Sequence, residues 1–82
     1  MTRLPRGISG AELVKKLSRY GYVVSRQTGS HIRLTTTREG EHHVTIPNHS
    51  SISVGTLSSI LGDVALHCKL SKDHLVAELF EQ

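Results

Sequence analysis

The sequence predicts an α+β domain in which a three-stranded antiparallel sheet carries helices on one of its faces. Two segments in the middle of the chain, 30–36 and 42–47, alternate between apolar and polar residues, as half-buried strands do. Segments on both sides of them repeat apolar residues at helical spacing. The predicted order is α-β-β-β-α followed by an extra C-terminal helix. Such a sheet with its helices on a single face buries the apolar side of each element and leaves the other sheet face to solvent.

The first helix is predicted to begin after Ser9. Ser9 and Glu12 have the spacing of a capping box, in which the Ser9 hydroxyl accepts from the backbone N–H of Glu12 and the Glu12 side chain reaches back. Gly21 stands where a left-handed residue would end the helix. The apolar side of this helix comprises Leu13, Val14, Leu17 and Tyr20, and the opposite side carries Lys15, Lys16 and Arg19. A basic helix face of this kind either attracts phosphate groups or is simply solvated.

Three strands are predicted between the first helix and a turn-rich loop at 48–51. The first is the β-branched run 22–26, which breaks at Thr28-Gly29. The second and third, 30–36 and 42–47, are joined by a polar turn. Burial of their apolar residues would place Ile32 opposite Ile46 and Leu34 opposite Val44. The open face of the sheet would then carry His31, Arg33, Thr35, His43 and Thr45.

Two more helices are predicted after the sheet. One begins near Ser53 and buries Leu57, Ile60, Leu61 and Val64. The other has Ser71 as its cap and an apolar stripe of Leu75, Leu79 and Phe80. Between them, 66–70 fits either a continuation of the first of these helices or a connector, so the placement of 62–71 stays open.

Composition and charge limit the classes of function. Leu, Ile, Val and Phe make up 23 of the 82 residues, which suffices for one modest core and so for a single domain spanning 1–82. Ten Lys and Arg against seven Asp and Glu give a net charge of +3, a mild bias toward phosphate ligands. The single cysteine, Cys68, excludes an internal disulfide. No apolar run is long enough to span a membrane, and the first six residues lack the apolar stretch of a signal peptide. We therefore expect a small cytoplasmic protein with no membrane partner.

Six histidines, at positions 31, 42, 43, 49, 67 and 74, raise the question of a metal site. None of them sits in a paired zinc-ligand spacing, and His42 and His43 face opposite ways if they are neighbours on a strand. We therefore expect no metal and no other cofactor. The chain also lacks a Gly-rich nucleotide loop, paired carboxylates and a nucleophile set beside a base, which argues against hydrolases and NTPases built on those parts.

Metal-independent cleavage of RNA needs fewer parts. A base takes the proton of the 2′-hydroxyl, the oxygen attacks the adjacent phosphate, and cations stabilise the developing charge. Histidine suits the role of the base because its ordinary pKa is about 6.5. Here the Gly29-Ser30 turn leads into a strand with His31 and Arg33, and a second imidazole, His49, follows the next strand. From the residues alone, a strand histidine is more often a plain surface residue than a catalyst.

Several short motifs occur in one order along the chain: Gly21-Tyr22, Arg26, Gly29-Ser30-His31, His43-Val44-Thr45-Ile46-Pro47, His49 and Gly55-Thr56-Leu57-x-x-Ile60-Leu61. This series resembles the HicA family, the small toxins of HicA–HicB toxin–antitoxin pairs. The resemblance implies a fold like that of double-stranded-RNA-binding domains and the activity of an mRNA interferase, an endoribonuclease that cleaves messenger RNA. It also implies that His31 is the catalytic histidine and that a cognate HicB-like antitoxin is a partner.

On this hypothesis the chain is a metal-independent ribonuclease toxin whose antitoxin covers the His31 face. His31 acts as general acid or base, and Gly29 permits the tight turn that presents it. Ser30 would hold the turn through a hydroxyl–backbone hydrogen bond. His49 is either a partner in proton transfer or a loop histidine that caps the second helix. The single-stranded RNA substrate is expected to contact Gly29, Ser30, His49, Arg33, Lys15, Lys16 and Arg19.

Two other classes of function remain open. The same fold can grip duplex RNA by shape, without cleavage. A dedicated duplex binder is expected to place lysines at the start of the second helix, whereas no Lys or Arg lies between Arg38 and Lys69. A protein that only engages another protein would make His31 irrelevant. Incubation with a long RNA, with and without a His31 substitution, separates the three classes.

Overall fold

The computed structural model describes residues 4–81. Its elements are α1 (Gly10–Leu17), a short 3₁₀ helix (Ser18–Tyr20), β1 (Val23–Thr28), β2 (His31–Thr36), β3 (His42–Pro47), α2 (Val54–Cys68) and α3 (Lys72–Phe80). The predicted order and the α+β fold with three antiparallel strands are confirmed. The arrangement is consistent with a double-stranded-RNA-binding-domain-like architecture.

Helix α1 begins with the predicted capping box. The Ser9 hydroxyl accepts from the Glu12 N–H at 3.1 Å, and the Glu12 carboxylate accepts from the Ser9 N–H at 3.0 Å. The helix tightens into the 3₁₀ turn after Leu17 and ends at Gly21, whose φ of +85° is left-handed. The predicted stop at Gly21 is therefore confirmed, with a tighter last turn than the apolar spacing indicated.

The sheet has the strand order β1-β2-β3. Strands β2 and β3 pair in the predicted register, with Ile32 opposite Ile46 and Leu34 opposite Val44, and all four residues are buried. The helices pack mainly on the β3 side of the sheet, and every residue of the edge strand β1 is exposed. Strand β1 runs from Val23 to Thr28, so it starts one residue later and ends two residues later than predicted, and Tyr22 just before it is buried in the core.

The buried side chains form one aliphatic core between the sheet and the three helices. Its fully enclosed members include Leu13 and Leu17 from α1, Leu34 and Ile46 from the sheet, Leu57, Leu61 and Val64 from α2, and Leu75 and Leu79 from α3. The predicted apolar stripes of all three helices are thus directed inward. Burial of these stripes, more than helix propensity, stabilises helices this short.

The segment whose placement the sequence left open belongs mostly to α2. The helix continues to Cys68, and Lys69 closes it in the left-handed conformation with a φ of +60°. Helix α3 then begins at the predicted cap, where the Ser71 hydroxyl accepts from the His74 N–H at 3.0 Å. The link between the two helices is therefore short, and α3 packs against α2.

Within residues 4–81, each helix is too short or too polar to cross a lipid bilayer. The expectation about a signal peptide rests partly on residues 1–3, which lie outside the described residues.

Candidate functional site

The face of the sheet that turns away from the core carries the residues predicted for it. Three rows of directly paired side chains cross this open face: Thr28-His31-Pro47, Arg26-Arg33-Thr45 and Val23-Thr35-His43. His31 and Arg33 are both exposed. They lie two residues apart on one strand, a separation of about 7 Å. The predicted placement of His31, Arg33, Thr35, His43 and Thr45 on one face is confirmed.

A two-residue turn holds His31 at the start of β2. Gly29 has a φ of +52° and Ser30 does not have a positive φ, which is the pattern of a type II′ hairpin turn with glycine in its first position. The Ser30 carbonyl accepts from the Asn48 N–H at 2.7 Å and so ties the turn to the end of β3. Within residues 4–81 the Ser30 hydroxyl makes no hydrogen bond. The predicted hydroxyl–backbone bond is therefore not formed, and the Ser30 carbonyl holds the turn instead.

The N-terminus of α1 supports the loop that carries His49. The Gly10 N–H donates to the His49 carbonyl at 3.0 Å. A Cβ atom on Gly10 would lie 2.2 Å from the Pro47 carbonyl oxygen, so only glycine permits this approach. Because Pro47 pairs with His31, the exposed His49 lies at the same end of the sheet as His31. The side chain that caps α2 belongs to Ser53, not to His49.

The two histidines of the open face differ in their surroundings. His43 Nδ1 lies 2.7 Å from Thr35 Oγ1, and His43 Nε2 lies 2.8 Å from a carboxylate oxygen of Glu41. The Thr35 hydroxyl also donates to Ser25 Oγ at 2.7 Å. Both ring nitrogens of His43 are therefore engaged. Among residues 4–81, the His31 ring has no hydrogen-bond or ion-pair partner.

The register adds one cation to the predicted site. Arg26 of β1 stands directly opposite Arg33 on the open face, in the row next to His31. No role was predicted for Arg26 from the sequence, although it is one of the residues on which the family resemblance rests. All six residues of β1 are exposed, so the strand has no alternation of buried and exposed residues. The face on which Arg26 lies could therefore not be predicted from such a pattern.

Two of the three cations predicted for the first helix, Lys16 and Arg19, lie elsewhere, against α3. Lys16 Nζ donates to the Leu79 carbonyl at 3.0 Å and lies 5.3 Å from the centre of the Phe80 ring. Arg19 donates to the Glu78 carbonyl at 2.8 Å. Lys15 is exposed, and with Lys16 and Arg19 it borders a surface depression of about 710 Å³. The structure therefore does not bring these three residues together with His31.

A second cluster of histidines lies at the opposite end of the sheet. The rings of His42 and His67 stack with their centroids 4.4 Å apart, and the Tyr22 hydroxyl lies 2.7 Å from His42 Nδ1. Burial, and secondarily the neighbouring His67, lower the pKa of His42 below its ordinary value. Within residues 4–81 no three His, Cys, Asp or Glu side chains are grouped so as to hold a metal ion.

Residues 10–66, more than two thirds of the chain, match the family described as the HicA toxin of bacterial toxin–antitoxin systems. The matched segment contains all three strands and both His31 and His49. No curated protein and no solved structure matches the chain.

Proposed function

Because this chain belongs to the HicA toxin family of bacterial toxin–antitoxin systems, we propose that it is an endoribonuclease that cleaves messenger RNA with His31 as its general acid–base residue. The position of His31 is the observation that supports the proposal most directly. Its ring is exposed and unengaged within residues 4–81, and arginines occupy the next row of the same face.

The proposed reaction uses a nucleophile that the RNA itself supplies. His31 accepts the proton of a 2′-hydroxyl while the 2′-oxygen attacks the adjacent phosphorus. The bond from phosphorus to the 5′-oxygen of the next nucleotide breaks, and that oxygen takes up a proton. One fragment then ends in a 2′,3′-cyclic phosphate and the other begins with a 5′-hydroxyl. The protonated His31 can return the proton, and His49, at the same end of the sheet, is the second candidate for this step.

We place the RNA backbone across the end of the open face. Gly29 and Ser30 form the exposed turn beside His31. The space around Gly29 is open, with no atom within 4 Å of where a Cβ would lie, so the RNA backbone can approach the turn closely. Arg33 supplies positive charge on the same strand. Lys15, Lys16 and Arg19 contribute attraction at longer range, since two of them are already bonded to carbonyls of α3. An antitoxin that covers the open face would exclude RNA from His31.

Cleavage of a long messenger RNA by the wild type and by His31→Ala tests the proposal. We expect the variant to lose activity by a factor of about 10² or more, because general acid–base catalysis contributes about 10² to 10⁴ to a rate. The melting temperature should be unchanged, because His31 is exposed and unbonded.

His74→Ala is the matched control, since it removes an exposed imidazole from α3, far along the chain from the sheet. It should cleave like the wild type. Equal cleavage by the wild type and His31→Ala would refute the assignment. Binding of duplex RNA without any cleavage would instead favour a duplex-binding module.

A further inference from the structure

We infer that Arg26 and Arg33 together form a binding site for one phosphate of the RNA backbone, in the row of the open face next to His31. The inference rests on the proposed function, because it specifies how the same face would hold its substrate. Three observations carry it: a β-bulge that redirects Arg26, the direct pairing of two like charges, and the lack of acidic partners for either.

The first observation is the irregularity between Val24 and Arg26. Val24 pairs with Leu34 and Arg26 pairs with Arg33, so Ser25 is the extra residue of a bulge. With regular pairing, Ser25 would stand opposite Arg33, and Arg26 would stand opposite the buried Ile32 on the helix-covered face. The bulge therefore moves Arg26 to the face that carries His31. Bulges commonly redirect a side chain next to an active site.

The bulge is secured by side-chain hydrogen bonds. The Ser25 hydroxyl donates to the Arg33 carbonyl at 3.2 Å and accepts from the Thr35 hydroxyl at 2.7 Å. Thr35 in turn lies 2.7 Å from His43 Nδ1, whose ring is bonded to Glu41. This chain of bonds joins Glu41 and His43 to Ser25, the extra residue of the bulge.

The second observation is that the bulge places two cations directly opposite each other. Directly opposed residues of an antiparallel pair have Cβ atoms about 4.5 to 5.5 Å apart, and like charges there are destabilising. Within residues 4–81 no carboxylate forms an ion pair with either guanidinium. The two guanidinium groups therefore repel each other in the folded protein, and a bound anion would relieve this repulsion.

Arginine also matches the chemistry of a phosphate. Each guanidinium presents planar donors that bind phosphate oxygens in pairs, and two of them can share one phosphate. Arg33 lies two residues from His31, about 7 Å along the strand. That separation is comparable to the distance between successive phosphates of a nucleic acid strand. We therefore assign the arginine pair to a phosphate next to the one that is cleaved, rather than to an acidic surface of a protein.

The test measures RNA binding in the His31→Ala background, where the RNA stays intact. A fluorescently labelled single-stranded oligoribonucleotide is titrated at several salt concentrations against this protein and against the same protein with Arg26→Gln. Loss of one phosphate contact lowers the slope of log affinity against log salt by about 0.7, which corresponds to about fivefold weaker binding at 0.1 M salt. Thermal unfolding should show Arg26→Gln to be at least as stable as its parent, because the substitution removes a repulsion.

Lys69→Gln is the matched control. It removes the same charge from an exposed lysine at the end of α2, where Glu39 is its partner at 3.7 Å. This variant should keep the parental affinity and salt slope. Arg33→Gln should weaken RNA binding as much as Arg26→Gln does. The double variant should lose less binding free energy than the sum of the two single losses, because both arginines contact one phosphate.

The outcomes distinguish this inference from the proposed function. Weaker, less salt-dependent binding by Arg26→Gln supports the arginine site even if the wild type cuts no RNA, in which case only the proposed function fails. The site is refuted if Arg26→Gln binds the oligoribonucleotide as tightly as its parent does, or if Lys69→Gln loses as much RNA affinity as Arg26→Gln. It is refuted too if the protein binds no RNA. It is also refuted if Arg26→Gln weakens only the complex with the cognate antitoxin. If the protein binds RNA and the wild type cleaves it, the proposed function stands even where the arginine site is refuted.

Discussion

At the scale of single residues, the half-buried imidazole of His42 lies in a cluster of rings far from the proposed site. Its ring stacks on His67 with an interplanar angle of 10°, and Tyr22 approaches its edge. His67 Nε2 donates to the Arg38 carbonyl at 2.8 Å, which fixes the second ring. The cluster joins the start of β3 to the end of α2, so a charge on His42 would act on the packing between sheet and helix.

We predict that the protein loses stability on acidification below about pH 6.5. Burial first and His67 second lower the pKa of His42 in the folded protein. The unfolded chain therefore binds the proton at higher pH than the folded chain does, and stability falls as the pH drops from about 6.5 through the folded pKa. Thermal melts between pH 7.5 and 5.0 measure this loss.

His42→Gln should show a flatter dependence of melting temperature on pH over that range. His74→Gln is the control, because His74 is exposed on α3, and it should keep the wild-type dependence. A wild-type slope in His42→Gln would mean that another group causes the loss of stability on acidification.

At the scale of elements, α1 and the 3₁₀ helix after it hold the C-terminal end of α3. Lys16 and Arg19 donate to the carbonyls of Leu79 and Glu78 in the last turn of α3, where helix carbonyls lack partners within the helix. Cations are favourable there for the additional reason that the C-terminus of a helix carries partial negative charge. The bonded residues are about 60 positions apart in the sequence. The helical spacing therefore predicted a basic face on the first helix but could not show that α3 packs against it.

We predict that Lys16→Gln destabilises the protein and that Lys15→Gln does not. Loss of one partly buried hydrogen bond from a charged donor costs about 1 kcal/mol, which lowers the melting temperature of a chain of this size by about 4 to 8 °C. Lys15 is exposed, and its side chain bonds to nothing within residues 4–81, so it serves as the neighbouring control. Equal melting temperatures for the two variants would contradict the docking role of Lys16.

A second prediction at this scale concerns the contact of α1 with the loop after β3. Replacement of glycine by alanine in a helix ordinarily stabilises by about 0.5 to 1 kcal/mol. Gly10→Ala should instead destabilise by about 1 to 3 kcal/mol, because the new Cβ would lie 2.2 Å from the Pro47 carbonyl oxygen. The forced shift should also weaken RNA cleavage, since Pro47 pairs with His31.

Gly62→Ala is the control for Gly10→Ala. Gly62 lies within α2, and a Cβ there would meet no atom within 4 Å. Chemical denaturation should show this variant to be more stable than the wild type. Stabilisation by both substitutions would show that α1 does not press against the loop.

The elements also show which parts of the structure the sequence could predict. Strands β2 and β3 have one buried face, so alternation sufficed to predict their register and the side on which His31 lies. Strand β1 is exposed throughout, and its bulge depends on pairing with β2 and on the bonds of Ser25. The position of Arg26 was therefore beyond the reach of any local pattern, although the histidine beside it was predicted.

At the scale of the whole molecule, the helices cover one face of the sheet and the proposed chemistry occupies the other. The core stabilises the fold through the buried rows of β2 and β3, while the exposed rows between them are free to bind a ligand. Substitutions on the open face can thus change activity with little effect on stability. This separation makes the catalytic proposal testable in a folded protein.

The most direct test of the proposal is analysis of the RNA ends produced at one cleavage site, in buffer with EDTA, together with a substrate that has a single 2′-deoxy sugar at that site. If His31 activates a 2′-hydroxyl, the ordinary substrate yields a 2′,3′-cyclic phosphate and a 5′-hydroxyl, and the deoxy substrate resists cleavage at that site alone. His31→Ala should leave both substrates intact. A 5′-phosphate product, or unimpaired cleavage at the deoxy position, would contradict the account, because water would then be the nucleophile.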